Sequence, residues 1–510
     1  MVANTGALNL ARKGEVVGAG LSRRTILGEY LIVCAAVGVI TGMLALRNHA
    51  VMHWFLVPVM ACGILAGVDI VRWVRGRLDL FDPSTIIACL AFYGFFVAPI
   101  LHVLWNQYGI GDEMLLWGDW RIWLGGMASL NAAGLAAYRM TQSLAFQRTK
   151  PSMTRWEIQR KRFYPLSLLA LTVSVAGVCA YLWQFDGIEG LINAFEKNQE
   201  AFTGKGWLLV LAWPFAVLSY LILVFIGTDQ RRKLRHPMVL GIVLMCLFGM
   251  GHFLLLGWYG SRAATIWALF WMLGIAHYRL RRFARKTMVL GAIFLLVFTY
   301  FYGFYKERGR MGFEILRAPA LWLQPAGYER DLKYLLLGDL ARADCNALVL
   351  HNLVKDPGDY NYRWGLTYFG ALLILIPRNI WPDRPEIRVD AGSEAQLGKT
   401  APWQSPRLYG LSGEALLNFG PLGVPLLFAL YGGVLGWYRR KLMSWEAGEA
   451  RTLLAPFCTL MIAVALVCDS DVLVFFAISE GSLISALIFT ASRRVPAEHW
   501  INADESTAYS

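Results

Sequence analysis

The stretch LSGEALLNFGPLG, residues 411 to 423, places Glu414 and Asn418 four residues apart, so both side chains lie on one face of a short helix that Gly420 and Pro421 end. A carboxylate there suits proton acceptance or the binding of a hydroxyl group, and an amide suits holding a second hydroxyl. The competing reading is structural, with the two side chains bonded to each other or to a neighbouring helix end. In LIPRNIWPDRPEIRVDAGSEAQ, 375 to 396, Pro377, Pro382 and Pro385 stiffen a turn that presents Arg378, Arg384 and Arg388. Guanidinium groups grip phosphate through two parallel hydrogen bonds and stay charged, which suits a diphosphate. The alternative is a surface loop whose arginines pair with Asp383, Glu386 and Asp390. In GWYGSRAATIWAL, 257 to 269, Arg262 stands at a helix entry beside Gly260, as an anion clamp or as an anchor to lipid phosphate. Arg308 is a further candidate for the same anion.

These residues sit in a chain built for a membrane. Of 510 residues, 57% are hydrophobic and 16% charged, against roughly 25% charged in an ordinary soluble domain. Apolar blocks fall at about 25–46, 51–71, 85–104, 121–139, 164–184, 207–227, 237–257, 262–278, 287–304, 417–437, 452–468 and 472–491. Each is long enough to cross about 30 Å of hydrocarbon as a helix. The expectation is an all-α polytopic membrane protein with about 12 transmembrane helices and one large outer loop. Basic runs occupy alternate loops and acids the intervening ones, so both termini are expected in the cytoplasm. The first block is expected to be a retained helix and not a signal peptide.

The expected organisation is a cytoplasmic N-terminus over 1–24, a nine-helix membrane region over 25–304, an outer loop over 305–410, C-terminal membrane helices over 411–491 and a cytoplasmic tail over 492–510. Within the loop, 329–354 reads as one amphipathic helix. The stretch 367–377 is too short to span and reads as a re-entrant or interface-lying helix ended by Pro377. The net charge of +13 is explained by topology and anionic lipid, and no nucleic-acid partner is expected. Of the eight cysteines, six lie inside apolar blocks, and Cys345 and Cys468 are expected nearer the outer side. No Cys/His ligand spacing, Walker A sequence, GxGxxG, HExxH or GxSxG occurs, so neither a metal nor a cofactor is expected. The chemistry is expected on the outer face.

The motifs GSRAA, LIPRNIWPDRP and SGEALLNFGPLG, in that order around a large outer loop, resemble those of the Wzy-type polysaccharide polymerases, the O-antigen or oligosaccharide repeat-unit polymerase family. The likeness covers roughly a tenth of the chain in sequence and otherwise rests on topology. It implies an enzyme of the bacterial cytoplasmic (inner) membrane, similar to C-type glycosyltransferases, acting on undecaprenyl-diphosphate-linked oligosaccharide. The implied reaction is inverting and metal-independent. Arg262 and Arg378, with Arg384, Arg308 and Arg388 in support, would neutralise the leaving diphosphate. Glu414 would serve as base and Asn418 as a sugar ligand. A chain-length regulator and a flippase are the implied partners, beside membrane lipids. Two rivals stand beside it: an O-antigen ligase, for which His102, His252 and His351 are candidates, and a lipid-linked glycan flippase. A flippase needs polar groups inside the spans, and the blocks read as nearly free of charge.

Overall fold

The structure, a computed structural model, describes residues 23–79, 81–107, 118–146, 154–197, 206–229, 244, 247, 262–280, 282–308, 315, 317, 322, 331–376, 380–398, 407–445 and 448–496. The chain is predominantly helical. Among the described residues, seven helical stretches are long and apolar enough to cross a membrane: Thr25–Arg47, Leu56–Val74, Pro83–Trp105, Arg160–Trp183, Leu209–Ile226, Arg285–Tyr305 and Ser470–Thr490. On the first of these Leu27, Leu31, Val39 and Met43 are exposed, and on Arg285–Tyr305 Leu290, Ile293 and Phe294 are exposed. Apolar side chains displayed along a whole helix are what lipid covers.

The remaining expected spans differ for local reasons. The block 121–139 lies in helix Arg121–Ala145, which carries Asn131, Arg139 and Gln142. The block 262–278 becomes Arg262–Arg279. The block 417–437 starts later, as Gly423–Ser444, because Gly420 caps the preceding helix at φ +71°. The block 452–468 yields only Ala455–Val464, ten residues or about 15 Å of helix, half a hydrocarbon core. All but residues 244 and 247 of 237–257 lie outside the described residues.

The chain divides into two compact units that do not follow its linear order. One comprises Met1–Gln147, Leu323–Arg440 and Met461–Val474; the other comprises Arg148–Trp322, Lys441–Leu460 and Phe475–Ser510. In the first, Cys62, Ile87, Met127, Val349, Leu416 and Phe428 belong to one buried cluster. Burying a large side chain of this kind contributes about 1.5–3 kcal/mol. Asp82 accepts from the Ser84 N–H at 2.9 Å and so caps helix Pro83–Phe92, with Pro83 in its first turn. The same carboxylate holds Arg439 at 2.7 Å, locking the end of Gly423–Ser444 to that cap.

The second unit stacks Trp267 on Phe476 at 4.8 Å and Trp271 on Phe457 at 4.4 Å, and Trp271 Nε1 donates to the Leu453 carbonyl at 2.8 Å. Here the expectation of an all-α chain is corrected. Thr154–Ile158 and Ser492–Pro496 form a two-stranded antiparallel ribbon, with Trp156 opposite Arg494 and Glu157 opposite Arg493. Strand residues were expected as a cytoplasmic loop and tail. They pair because the Arg494 guanidinium lies 4.8 Å over the Trp156 ring and the Gln159 N–H reaches the Ala491 carbonyl at 2.8 Å.

Two expectations for 305–410 are also corrected. The stretch 329–354 is not one helix: a π-helical turn, Tyr334–Asp339, precedes helix Ala343–Lys355. The break falls where Arg342 Nη1 donates to the carbonyls of Asp339 and Ala341. Helix Ala343–Lys355 is also buried more widely than one amphipathic stripe, from Asp344 through Leu350. The re-entrant stretch is shorter than expected, Leu366–Leu372. Pro377 lies outside the described residues, and the helix ends before it because Arg384 Nη1 takes up the carbonyls of Ile374 at 3.0 Å and Ile376 at 2.9 Å.

Charge alternation gives a topology test. Reporters fused after Arg162, Arg235 and Arg285 are expected to signal cytoplasm, and those after Glu196 and Asp356 the exterior. An exterior signal after Arg285 would overturn the expected placement of residues 305–410 on the outer side.

Candidate functional site

Glu414 and Asn418 lie on helix Gly410–Phe419, as their spacing predicts, and both are buried. Their side chains meet through a third residue. Asn418 Nδ2 donates to Thr367 Oγ1 at 2.7 Å, and Thr367 Oγ1 donates to Glu414 Oε1 at 2.9 Å. Asn418 Nδ2 also donates to the Glu414 carbonyl at 2.8 Å, within the helix. From the other side the Ser470 N–H donates to Glu414 Oε2 at 2.8 Å, and the Ser470 hydroxyl donates to Oε1. One carboxylate therefore gathers two hydroxyl groups and a backbone amide from two other segments.

Asn418 has a second task. Its Oδ1 accepts from the Gly365 N–H at 2.9 Å and its carbonyl from the Trp364 N–H at 3.0 Å. Trp364 is held at φ +47°, a left-handed conformation that costs a bulky residue about 1–2 kcal/mol. Two hydrogen bonds at about 0.5–1.5 kcal/mol each offset that. The turn leaves the Trp364 ring 75% exposed, beside exposed Leu366, Phe369 and Leu372. The Trp364 ring lies 6.4 Å from that of Phe419, and Tyr368 stacks on Phe419. An apolar surface thus borders the polar cluster.

Behind Glu414 stands an alternating set of charges. Asp469 accepts from the N–H groups of Tyr409 (3.1 Å) and Gly410 (2.6 Å), and pairs with Arg388 at 3.1 Å. Gly410 fits because its φ is +64° and a Cβ would meet the Leu466 carbonyl at 2.7 Å. Arg388 also reaches Asp471 at 3.3 Å and the Arg407 carbonyl at 2.6 Å. Arg407 forks onto both oxygens of Asp344 at 3.0 Å. Among the described residues no Lys or Arg lies within ion-pair distance of Glu414. Burial first, then the Asp469 carboxylate, push the Glu414 carboxyl above the ordinary carboxylate range, against the bonds from Ser470 and Thr367. Burial also raises Asp469, opposed by Arg388.

The expected anion ligands divide. Arg384 is drawn into the carbonyls that follow Leu372, and Arg388 into Asp469 and Asp471. Of the acids of the proline turn, Glu386 pairs with Arg363 at 3.0 Å, and Asp390 accepts from the Ile387 N–H. Arg378 lies outside the described residues. Arg262 opens helix Arg262–Arg279 and Arg308 closes helix Arg285–Arg308, both in the second unit; their side chains lie outside the described residues. Of the histidines, His102 Nδ1 lies 2.6 Å from the Gln107 carbonyl and Nε2 lies 3.8 Å from Asp344, and His351 meets Asn352 and the Trp123 edge. His252 lies outside the described residues.

Thr367, Ser470, Asp469 and Asp471 were missed from sequence. A signal existed in Asp469–Ser470–Asp471, an acidic link between two apolar blocks. A second omission is Glu480, 1% exposed, with neither carboxylate oxygen hydrogen-bonded. It sits in a π-helical turn, Ala477–Gly481, inside the apolar stretch Ser470–Thr490, so the spans are less free of polar groups than expected. Comparison with protein-family profiles, with curated proteins and with solved structures finds no match.

Proposed function

We propose that this chain is a polyprenyl-diphosphate-dependent glycosyltransferase that polymerises lipid-linked oligosaccharide repeat units at the outer face of the bacterial cytoplasmic membrane, with about twelve crossings and both termini cytoplasmic. The observation that carries the reading is Glu414, a buried carboxylate bonded by hydroxyl donors, with no cation paired to it among the described residues, beside an exposed apolar surface. A sugar hydroxyl replaces one of those donors and gives its proton to Glu414 as its oxygen bonds to the anomeric carbon of the donor glycan. The bond from that carbon to the diphosphate oxygen breaks on the opposite side, and the lipid diphosphate leaves with the electron pair. Inversion follows from this single displacement. Arg262 and Arg378, with Arg308 in support, are the cations assigned to the leaving group, as the resemblance to the polymerase motifs implies. The motifs GSRAA, LIPRNIWPDRP and SGEALLNFGPLG support the same reading.

A flippase of lipid-linked glycans is the second reading, favoured by Glu480 inside an apolar span. The lipid-linked glycan profile of a deletion strain separates the two. Loss of a polymerase leaves single repeat units on the outer face, open to glycosidases added to spheroplasts. Loss of a flippase strands them inside, protected from the same enzymes, and that pattern would overturn the polymerase reading.

A further inference from the structure

Glu480 stands ten residues from either end of Ser470–Thr490, about 15 Å of helix from each, at the middle of a stretch of span length. Its side chain is buried, and neither carboxylate oxygen has a hydrogen-bond partner. The adjoining serine hydroxyls are engaged elsewhere: Ser479 Oγ donates to the Phe475 carbonyl at 2.7 Å and Ser482 Oγ to the Ile478 carbonyl at 2.6 Å. The turn is tightly packed. A Cβ at Gly481 would lie 2.5 Å from the Phe457 ring, and Phe476 stacks on Trp213 at 5.4 Å and on Trp267 at 4.8 Å. Trp213 Nε1 is likewise buried without a partner.

The surrounding elements offer little charge. Leu209–Ala212, which packs on the turn, and Ser482–Thr490, which continues it, carry no titratable residue. Ala455–Val464, which brings Phe457, has only Cys458, and helix Arg262–Arg279, which brings Trp267, has Arg262 at its start and His277, Tyr278 and Arg279 at its end. Among the described residues none of these forms an ion pair or hydrogen bond with Glu480. A lone charge at that depth is far costlier than the neutral acid, so the side chain is held here with its proton. A metal cation needs several oxygen ligands, and among the described residues no group of three His, Cys, Asp or Glu converges. The proton is the ion that one carboxylate binds alone. The π-helical turn Ala477–Gly481 supplies a means of release, because it holds one residue more than an α-helical turn. Closing it to α geometry rotates the helix on one side relative to the other by about 100° and turns Glu480 off the face it now packs. The O–H bond then breaks, the electron pair stays on the carboxylate oxygen and the proton passes to water. We propose that Glu480 is a proton-binding site within the apolar stretch Ser470–Thr490, a carboxylic acid enclosed by the π-helical turn that exchanges its proton with water when the turn rearranges. It belongs to the second unit, whereas Glu414 belongs to the first, and it rests on neither functional reading above.

The test is infrared spectroscopy of the purified full chain in micelles, with Glu480→Gln as the subtracted control, and carbodiimide labelling in native membranes; neither reads a glycan. Wild type is expected to show the carbonyl band of a protonated carboxyl without a hydrogen-bond partner, absent from Glu480→Gln, that moves to lower frequency in D2O as the proton exchanges. Dicyclohexylcarbodiimide enters lipid and reacts with protonated carboxyls, so it is expected to add at Glu480. The carboxyl oxygen bonds to its central carbon, the proton goes to a nitrogen and nothing leaves, so the peptide gains the mass of one reagent molecule. Glu480→Gln is expected to lose that adduct, and a water-soluble carbodiimide to leave Glu480 unmodified. Should Glu480→Gln fail to fold, Glu480→Leu, which leaves no polar group in the turn's place, serves as the control. The proposal is overturned if the acid band is missing or never shifts in D2O, if the apolar reagent leaves Glu480 unmodified, or if the water-soluble one modifies it.

Discussion

Glu414→Gln is expected to lower in vitro turnover of purified lipid-linked repeat units by about 10²-fold or more, the scale of a positioned base. The substitution conserves size. The Gln oxygen can still accept from the Ser470 N–H, and its amide can donate to the Thr367 and Ser470 hydroxyls, which rotate to accept. Folding is therefore preserved and the lost activity isolates the charge. The pH profile adds an independent check. Glu414 is raised, so wild-type turnover climbs as the carboxyl loses its proton above the ordinary carboxylate range, and the Gln variant lacks that limb. The stability sign is opposite. The folded state holds this proton more tightly than the unfolded chain, so the contribution is present at low pH. It declines as pH rises from the unfolded value toward the raised one. Near-equal turnover by wild type and variant, in matched amounts, would return Glu414 to a packing role.

Arg388→Met is expected to cost about 3–5 kcal/mol of stability, because it leaves Asp469 and Asp471 buried without their shared cation. The Arg407 carbonyl loses a donor as well. Two carboxylates without a cation also raise the cost of a charged Glu414, so residual activity should shift to higher pH. Chemical unfolding of the purified protein, with folded yield from membranes, gives the measurement. A substrate-binding arginine behaves differently, raising KM while unfolding is unchanged. That outcome would restore Arg388 to the anion ligands and weaken the structural pairing described here.

The candidate site was legible from sequence in the part that local geometry controls. Glu414 and Asn418 share a face because a helix repeats every 3.6 residues, and Gly420 ends that helix because it supplies φ +71°. What those side chains touch was not legible. Thr367 lies 47 residues from Glu414 and Ser470 lies 56 residues away, with no periodicity joining them. The proline turn suggested presented arginines, yet Arg384 and Arg388 face inward, to carbonyls and to aspartates on another segment. The amphipathic reading of 329–354 failed for a related reason. Leucine spacing reports a helical face, whereas Arg342 and its two carbonyls break the helix locally.

Composition by itself pointed to a mostly helical chain with segments long and apolar enough to cross a membrane, since a continuous apolar stretch of span length can satisfy its backbone hydrogen bonds in lipid within one helix. The sequence also determined which short segments carry acids and arginines. Only the tertiary structure decided that Arg388 belongs to Asp469 and Asp471, Arg407 to Asp344, and that Glu414 has hydroxyl partners and, among the described residues, no paired cation. Sequence spacing sets neighbours within one turn of helix, but charges interact through space and fall off with distance. Which acid stays without a counter-ion depends on how segments far apart in the chain pack together.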